Sequence, residues 1–299
     1  MTIRAPKYYK DFKCIADRCT HSCCIGWEID IDPVTMEKYA SLSDGYGKTI
    51  ADSIDSEDTP HFRLYADERC PHLDERGLCK IISNLGENYL CDICREHPRF
   101  YNDTSRGKEV GLGMACEEAA RLILSSDDYG EMIEVGTADD FDLPEFDGVI
   151  ERERIYTVLS DQTVPYQNRL ASLYAEYDTF PSTLTDIEWR EVLDSLEYLD
   201  ESHRELFRVY RSDLSTDDKF EHLLERALAY FVYRHCSATA DEEEVRATLG
   251  FALFCERLLS SLVLYGNPES IVEYARIISE ELEYSEENTE RIKEEFLFA

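Results

Sequence analysis

Residues 14–24 read CIADRCTHSCC and place four of the chain's eleven cysteines within eleven positions. Cys23 and Cys24 are adjacent, and adjacent cysteines rarely form a disulfide with one another without strain. The start of the chain, MTIRAPKYYKDFKC, has no apolar segment of the kind that signal peptides contain, which predicts a cytoplasmic protein. In a reducing compartment, clustered cysteines are more often metal ligands or redox groups than disulfides. A disulfide framework is therefore the weaker alternative to a metal site.

The spacing of the cysteines favours a soft metal centre. Nine of the eleven precede residue 117 and lie among polar loop residues. Cys19 and Cys23 are separated by three residues, and Cys91 and Cys94 by two, so each pair can face one metal centre. Thiolates select zinc or an iron–sulfur cluster, and spacing alone does not distinguish the two. Nine cysteines exceed the four that one such centre needs, which predicts either two centres or additional thiols that are not ligands.

The charge of the chain limits its partners. The formal net charge is −33, from 64 acidic and 31 basic residues. This balance argues against nucleic-acid binding, which needs Lys and Arg against phosphates, and against an anionic membrane surface. No run of 18 apolar residues occurs, so no membrane-spanning segment is predicted. Residues 126–299 have 42 acidic and 15 basic side chains, which predicts either a solvated surface or attraction of a basic protein partner.

The composition changes along the chain and predicts three parts. Residues 1–125 form a cysteine-rich metal-binding region, residues 126–150 an acidic connection, and residues 151–299 an acidic helical bundle. Apolar residues recur at helical spacing in EHLLERALAYFVYRHC and EEEVRATLGFALFCERLL, and the bundle is predicted to have five or six helices. Cys236 and Cys255 lie in these patterns and are expected to be buried structural thiols. The predicted fold is mainly α, with little strand in the N-terminal region.

Short motifs predict local structure near the cysteines. The alternating apolar and acidic residues of GWEIDID (26–32) predict one short strand. Asp32 and Pro33 then have the residue types of a helix start. DERG (74–77) predicts a turn, and Cys116 directly precedes the amphipathic helical pattern EEAARLIL.

Two signals predict helix ends in the second half of the chain. Thr185 and Glu188 have the spacing of a capping box. Gly266 follows a long apolar stripe, and Asn267 and Pro268 have the residue types of an N-cap and a first helical position.

The cysteine motifs together resemble those of a known family. CTHSCC (19–24), CPHLDERGLCKI (70–81) and LGENYLCDICREHPR (85–99) are similar to the cysteine pattern of the flagellin lysine-N-methylases. A broader group of cysteine-rich zinc- or iron-chelating proteins shares the short form CxxxCC, CPxL…GxC and CRxxP. GWEIDID and CEEAARLIL (116–124) also resemble segments of the methylases. The motifs cover residues 8–125, and the helical remainder is compatible with the family without carrying a motif that identifies it.

The resemblance implies an enzyme with a [4Fe–4S] cluster that transfers methyl groups from S-adenosylmethionine to lysine side chains of flagellin. The partner is then a basic or lysine-bearing protein. Matching the motifs gives as candidate metal ligands Cys14, Cys19, Cys23, Cys24, Cys70, Cys79, Cys91, Cys94 and Cys116. Zinc is the alternative metal. The rival interpretation is a non-enzymatic iron–sulfur or zinc protein that acts as a redox sensor or binding module.

The sequence identifies neither a methyl-donor site nor a catalytic base. The Gly-rich turn of the common methyltransferase sheet and the Cx3Cx2C triad of radical S-adenosylmethionine enzymes are not recognisable. A cluster iron that anchors the amino and carboxylate groups of S-adenosylmethionine is one hypothesis. Arg95, His97 and Arg99, beside Cys94, are predicted to contact the cluster or an anionic cofactor, with ordinary salt bridges as the alternative.

Overall fold

The chain forms two compact units. The computed structural model describes residues 1–42, 45–139, 143–179, 184–213, 216–237 and 239–297. One unit, Lys13–Pro98, is called the cysteine unit below, and the other, Met1–Phe12 with Arg99–Ala299, is called the bundle unit. Helices account for 54% of the chain and strands for 11%, which confirms the prediction of a mainly α fold.

The regular elements are short except in the second half of the chain. The strands are β1 (Thr2–Pro6), β2 (Ile54–Asp55), β3 (His61–Phe62), β4 (Arg99–Thr104), β5 (Gly107–Leu112) and β6 (Met132–Thr137). The α-helices are α1 (Pro33–Ala40), α2 (Tyr46–Asp52), α3 (Lys80–Leu85), α4 (Asp92–Glu96), α5 (Glu117–Leu124), α6 (Val149–Ser160), α7 (Tyr166–Tyr177), α8 (Asp186–Ser195), α9 (Glu201–Phe207), α10 (Glu221–Cys236), α11 (Glu242–Tyr265), α12 (Ile271–Ile278) and α13 (Glu286–Leu297). A π-helical turn, Ser279–Glu283, lies between α12 and α13.

The segment 26–32 does not form the predicted strand. Ile29 and Ile31 are buried and Asp30 is exposed, so the alternation of faces is correct. The backbone pairs only locally with residues 60–62, through bonds from the Ile31 amide to the Pro60 carbonyl and from the Phe62 amide to the Ile29 carbonyl. An alternating pattern predicts which side chains are buried, but a strand also needs a continuous neighbour.

The predicted helix start at Asp32 is confirmed. Asp32 is the N-cap of α1, where its carboxylate accepts a hydrogen bond from the Thr35 amide, and Pro33 is the first helical residue. The second oxygen of the same carboxylate accepts a bond of 2.9 Å from the Asp92 amide, at the start of α4. Asp32 therefore stabilises one helix end and positions the start of another, which lies 60 residues away in sequence.

A four-stranded sheet in the bundle unit was not predicted. Its strand order is β4-β5-β1-β6, with β1 parallel to β5 and antiparallel to β6. The β4–β5 hairpin turns through Gly107, whose φ of +113° is readily adopted only by glycine. The strands are five or six residues long and include charged residues, so their sequences give little periodic signal.

The division of the chain differs from the predicted boundary between residues 125 and 150. Residues 99–125 belong to the bundle unit, because β5 pairs with β1 and with β4, and because α5 packs in the bundle core. The predicted acidic connection contains β6, an element of the same sheet. Residues 140–142 of that connection lie outside the described residues.

The predicted helix ends of the bundle are confirmed. Thr185 and Glu188 form a reciprocal capping box at the start of α8. Gly266 follows the last residue of α11, and Asn267 caps a short 3-10 helix that begins at Pro268. Eight α-helices, α6 to α13, are present in the described part of residues 149–297, more than the five or six predicted, because several are only two turns long.

The helix α11 is the centre of the bundle. Eighteen of its 24 residues are buried, among them Cys255, as predicted. A helix that is apolar on all sides is buried in a core or a membrane. By length and composition α11 is the one helix among the described residues that could cross a bilayer, but 94% of its apolar window is buried within the protein. Cys236, in the adjacent α10, is also buried.

Candidate metal centre

Within the cysteine unit, backbone hydrogen bonds join the end of the first cysteine motif (19–24) to the start of the second (70–81). The Cys70 amide donates to the Cys24 carbonyl at 2.8 Å, and Ile25 forms a β-bridge with Arg69. Gly26 has a φ of +93°, which lets the chain turn away directly after this bridge. These bonds place Cys24 beside Cys70 although 46 residues separate them in sequence.

The other thiols are positioned by helix starts. Cys79 precedes the first residue of α3, and Cys91 precedes the first residue of α4. Cys94 lies one turn further along α4, whose start is attached to Asp32. Cysteine at a helix start leaves its thiol near unpaired backbone amides, which stabilise a thiolate.

Five thiols share one apolar core. Cys70 and Cys91 are buried members of the core of the cysteine unit, and Cys24, Cys79 and Cys94 are partly buried against it. Burial raises the pKa of Cys70 to about 12, and the thiols of Cys24, Cys79 and Cys91 contribute to the same shift. We call Cys24, Cys70, Cys79, Cys91 and Cys94 the five-thiol cluster. Thiols brought together from three separate motifs are the donor set that a soft metal requires.

Hydrogen bonds between neighbouring thiols shift the pKa values of these thiols away from their ordinary value. A bond from Cys23 lowers the pKa of Cys24 to about 7, against the opposing effect of burial. A bond between Cys91 and Cys94 lowers the pKa of Cys91 and raises that of Cys94. Cys23 with Cys24, and Cys91 with Cys94, therefore form two pairs of thiols in direct contact.

The sulfurs are farther apart than one zinc ion requires. Zn–S bonds of about 2.3 Å in a tetrahedron place the sulfurs about 3.8 Å from one another. Throughout the described residues, no three cysteine Sγ atoms all lie within 4.8 Å of one another. The five thiols are nevertheless the donor type that zinc and iron–sulfur clusters both take.

His72 lies within a cysteine motif but has a structural role. The hydroxyl of Tyr46 bonds its Nδ1 at 2.6 Å, and the hydroxyl of Ser53 bonds its Nε2 at 2.9 Å. The ring also packs edge-on against Phe62, with centroids 4.7 Å apart. Burial lowers the pKa of His72 to about 4. Because both ring nitrogens are engaged, His72 is not available as a metal ligand in this arrangement.

The remaining predicted ligands lie outside the five-thiol cluster. Cys23 is exposed beside Cys24, Cys14 is exposed, and Cys19 is half-buried, all within the cysteine unit. Cys116 belongs to the bundle unit, where it is the N-cap of α5 and packs partly against the bundle core. Five of the nine predicted ligands thus share the core of the cysteine unit, and Cys23 contacts one of them, Cys24.

The three predicted basic residues make different contacts. Arg95 forms ion pairs with Asp92 and Glu96 on its own helix. His97 lies near Trp27, with ring centroids 6.2 Å apart, and Trp27 donates to the Cys23 carbonyl. Arg99 belongs to the bundle unit and donates to the Tyr9 hydroxyl at 2.9 Å. The contact of these residues with a cluster or an anionic cofactor stays a prediction. Arg95 also forms the ordinary salt bridges that were the alternative to this prediction.

A histidine and two glutamates in the bundle unit were not found from sequence. His203, Glu280 and Glu281 have ligand atoms within 4.8 Å of one another. Glu281 is buried, and its oxygens already accept bonds from the amides of Leu199 and Asp200 and contact His203 Nδ1 at 2.6 Å. The arrangement therefore closes the start of α9, and the 78 residues between His203 and Glu281 leave no sequence signal for it.

The His203–Glu281 contact predicts a dependence of stability on pH. Burial alone would lower the pKa of His203, but Glu281, with Asp200 and Glu280, raises it above its ordinary value. A histidine whose pKa is raised on folding stabilises the protein fully below about pH 6.5, and this contribution is lost as pH rises through the folded-state value. We expect the free energy of unfolding to fall between pH 6 and pH 8.5 as this contribution is lost.

Urea unfolding at the two pH values measures this change. His203→Gln should flatten the pH dependence, whereas His222→Gln, at an exposed position of α10, should not. An equal slope in the wild type and His203→Gln would contradict the assignment.

Comparison with known proteins places the chain in a family. The flagellar biosynthetic protein FliU of Salmonella muenchen is 30% identical to it over 135 residues, which is 43% of this chain and 80% of that protein. This chain belongs to the FliU family. No family model matches the sequence, and no solved structure matches the chain.

Two further members related to FliU are named for an activity. The lysine-N-methylases of Salmonella choleraesuis (strain SC-B67) and Salmonella typhimurium (strain LT2) are each 30% identical over 135 residues, again 43% of this chain. The chain spans 34% of the length of each of these two proteins. The comparisons thus agree with the predicted methylase resemblance, while membership of the broader CxxxCC group stays a prediction.

Proposed function

We propose that this FliU-family chain is an iron–sulfur protein that methylates lysine side chains of a protein with S-adenosylmethionine as the methyl donor. The observation that carries the proposal is the similarity to two proteins named lysine-N-methylase, together with a donor set of five thiols. The name of the FliU relative suggests a flagellar protein as substrate. The candidate ligands are the five-thiol cluster first, and the peripheral Cys14, Cys19, Cys23 and Cys116 second.

The five-thiol cluster would hold the metal through thiolates of Cys24, Cys70, Cys79, Cys91 and Cys94. Five donors exceed the four of a [4Fe–4S] cluster, so one of them would be a neighbouring thiol, or two where one iron is left open for another ligand. Such a cluster supplies electron transfer, or an iron that can bind the amino and carboxylate groups of S-adenosylmethionine. The apolar core formed by Ile29, Ile31 and Tyr39 around the thiols would exclude water from the buried side of the site.

The acceptor lysine must lose its proton before it attacks a methyl group. A lysine amine has an ordinary pKa of about 10.4, so desolvation or a general base must supply the neutral form. The acidic excess of residues 126–299 supports recruitment of a lysine-bearing segment by charge. If so, raising the ionic strength should weaken substrate binding.

A second candidate is a non-enzymatic iron–sulfur or zinc protein that acts as a redox sensor or binding module. Its support is the extent of the match: the chain covers most of a relative named only for flagellar biosynthesis and about a third of the named methylases. A metal with every position filled by cysteine would favour this candidate, because nothing else could then bind there.

Anaerobic purification followed by iron, zinc and sulfide analysis is the test. We expect about four irons and four sulfides per chain, with broad absorption near ~400 nm. Incubation with labelled S-adenosylmethionine and flagellin should then transfer label to lysine, and heat-denatured protein is the control. One or two zincs without sulfide would reject the cluster, and a full cluster without methyl transfer to any lysine-bearing protein would favour the second candidate.

A further inference from the structure

A small cavity in the bundle unit is lined by aromatic rings and one arginine. Its volume is about 20 Å³, and its walls include Trp189, Tyr210, Phe254 and Phe296. The rings of Trp189 and Phe254 have centroids 4.6 Å apart, and those of Tyr210 and Phe254 are stacked at 4.9 Å. By the same measure of volume, one water molecule needs roughly 10–15 Å³, so the cavity admits a group of one or two water molecules in size.

Arg257 presents hydrogen-bond donors that the surrounding protein does not satisfy. Its side chain is only 3% exposed, and its Nη1 donates to the Asp213 carbonyl at 2.7 Å. Within the described residues, Nε and Nη2 have no hydrogen-bond partner. A buried donor without a partner costs about 1–3 kcal/mol, and more when it is charged. The Nε–Nη2 edge of a guanidinium is the edge that receives carboxylates and other planar oxyanions in pairs of bonds.

Besides Arg257, the cavity is lined by the hydroxyl-bearing residues Thr179, Ser212, Tyr174 and Tyr210. The Thr179 hydroxyl, also buried, has no partner among the described residues and can donate. Ser212 donates its hydroxyl to Asp186 at 2.6 Å, so that proton is already used. Arg257 is the single charged residue among the described residues that line the cavity. A water molecule here would meet more donors than acceptors, whereas an anion can accept from all of them.

Glu256 is the acidic neighbour of Arg257. Glu256 lies beside it on α11, with Oε1 3.5 Å from Arg257 Nη2, but it does not line the cavity. Burial raises the pKa of Glu256, which favours its neutral form relative to an exposed carboxyl group.

We propose that this cavity binds a small monovalent anion, of the size of formate or a halide ion, on the Nε–Nη2 edge of Arg257 and the hydroxyl of Thr179. The site is independent of the five-thiol cluster and of the proposed methyl transfer. The bound anion would offset the unfavourable burial of the Arg257 charge and so stabilise the bundle around α11.

Thermal unfolding of the full chain tests the site. Sodium formate replaces sodium gluconate stepwise, so that the ionic strength stays constant. Gluconate is the control anion because it is too large for the cavity. Formate should raise the unfolding midpoint along a saturating curve, by about 3 °C or more at ten times its dissociation constant. Thr179→Val keeps the shape of the side chain without its hydroxyl and should raise the half-saturating concentration several-fold. Thr157→Val, at an exposed position of α6, is the matched control and should leave the curve unchanged.

Crystals of the wild-type chain grown in sodium bromide provide a measurement that does not depend on a variant. Anomalous scattering should show a bromide within hydrogen-bond distance of Arg257 Nε and Nη2. Two results together would overturn the proposal and assign the cavity to ordered water. The first is a rise of the unfolding midpoint that is linear in formate, or that is the same in Thr179→Val and the wild type. The second is the absence of an anomalous peak beside Arg257.

Discussion

Cys91→Ser should purify with at least about tenfold less iron per chain than the wild type, measured anaerobically. Cys91 is 1% exposed and lies in the core of the cysteine unit. The amide of the next residue, Asp92, donates a hydrogen bond to the Asp32 carboxylate. A serine hydroxyl is a hard oxygen donor and does not replace a thiolate for a soft metal. Changes in groups that only support metal ligands already cost 10–100-fold in affinity, so a lost ligand should cost no less.

The same variant should also lose the folded structure of the cysteine unit. Because a metal site rarely exists in an unfolded chain, the free energy of metal binding contributes directly to folding. The unit has a small core with only a few large side chains, among them Ile29, Tyr39 and Phe62. Amide hydrogen exchange should show loss of protection in Lys13–Pro98, with protection of the bundle unit retained.

Two control variants separate ligation from other effects of losing a thiol. Cys14→Ser removes an exposed thiol outside the five-thiol cluster, and its iron content should stay within about twofold of the wild type. Cys255→Ser removes a fully buried thiol of α11, so it should lower stability without lowering the iron content. Equal iron in Cys91→Ser and the wild type would contradict the assigned ligand set. Equal loss in Cys14→Ser would place the ligands in the exposed segment instead.

The second large effect is expected at the buried ion pair of Glu109 and Arg152. Both nitrogens of the Arg152 fork bond the Glu109 carboxylate, at 2.5 and 2.9 Å, and the two side chains are 3% and 5% exposed. Arg152 also donates to Ser237, and its guanidinium lies 5.2 Å from the ring centre of Tyr233. The pair connects strand β5 to helix α6 inside the bundle unit.

Glu109→Ala should lower the free energy of unfolding by about 3–5 kcal/mol, because it leaves a buried cation without its partner. Urea unfolding measures this, provided that the slope with denaturant is unchanged. Glu201→Ala, which breaks the exposed pair with Arg204, is the control and should cost less than about 1 kcal/mol. The double variant Glu109→Met with Arg152→Met should recover part of the loss, since no unpaired charge remains. If Glu109→Ala unfolds at the same urea concentration as the wild type, the prediction is wrong and another group compensates the charge of Arg152.

Several features of this protein follow from short stretches of sequence. The caps at Asp32, Thr185 and Asn267 were predictable because a cap is a contact between residues two or three positions apart. The burial of Cys255 and the central place of α11 follow from an apolar pattern that covers all faces of one helix. Local sequence therefore determined the helical class, the helix ends and the presence of a cysteine-rich segment.

The tertiary structure decided which of these parts come together. β1 pairs with β5 and β6, more than a hundred residues later, and this pairing places residues 1–12 and 99–125 of the predicted metal region in the bundle unit. Cys116 belongs to the bundle unit and the other eight predicted ligands to the cysteine unit, where five of the thiols share the apolar core.

The pairs Arg152–Glu109 and His203–Glu281 and the Arg257 cavity likewise join residues distant in sequence. Periodicity and spacing describe contacts within one element, whereas these sites depend on which elements pack against one another. That packing is set by the burial of apolar surface over the whole chain, so no single motif could reveal it.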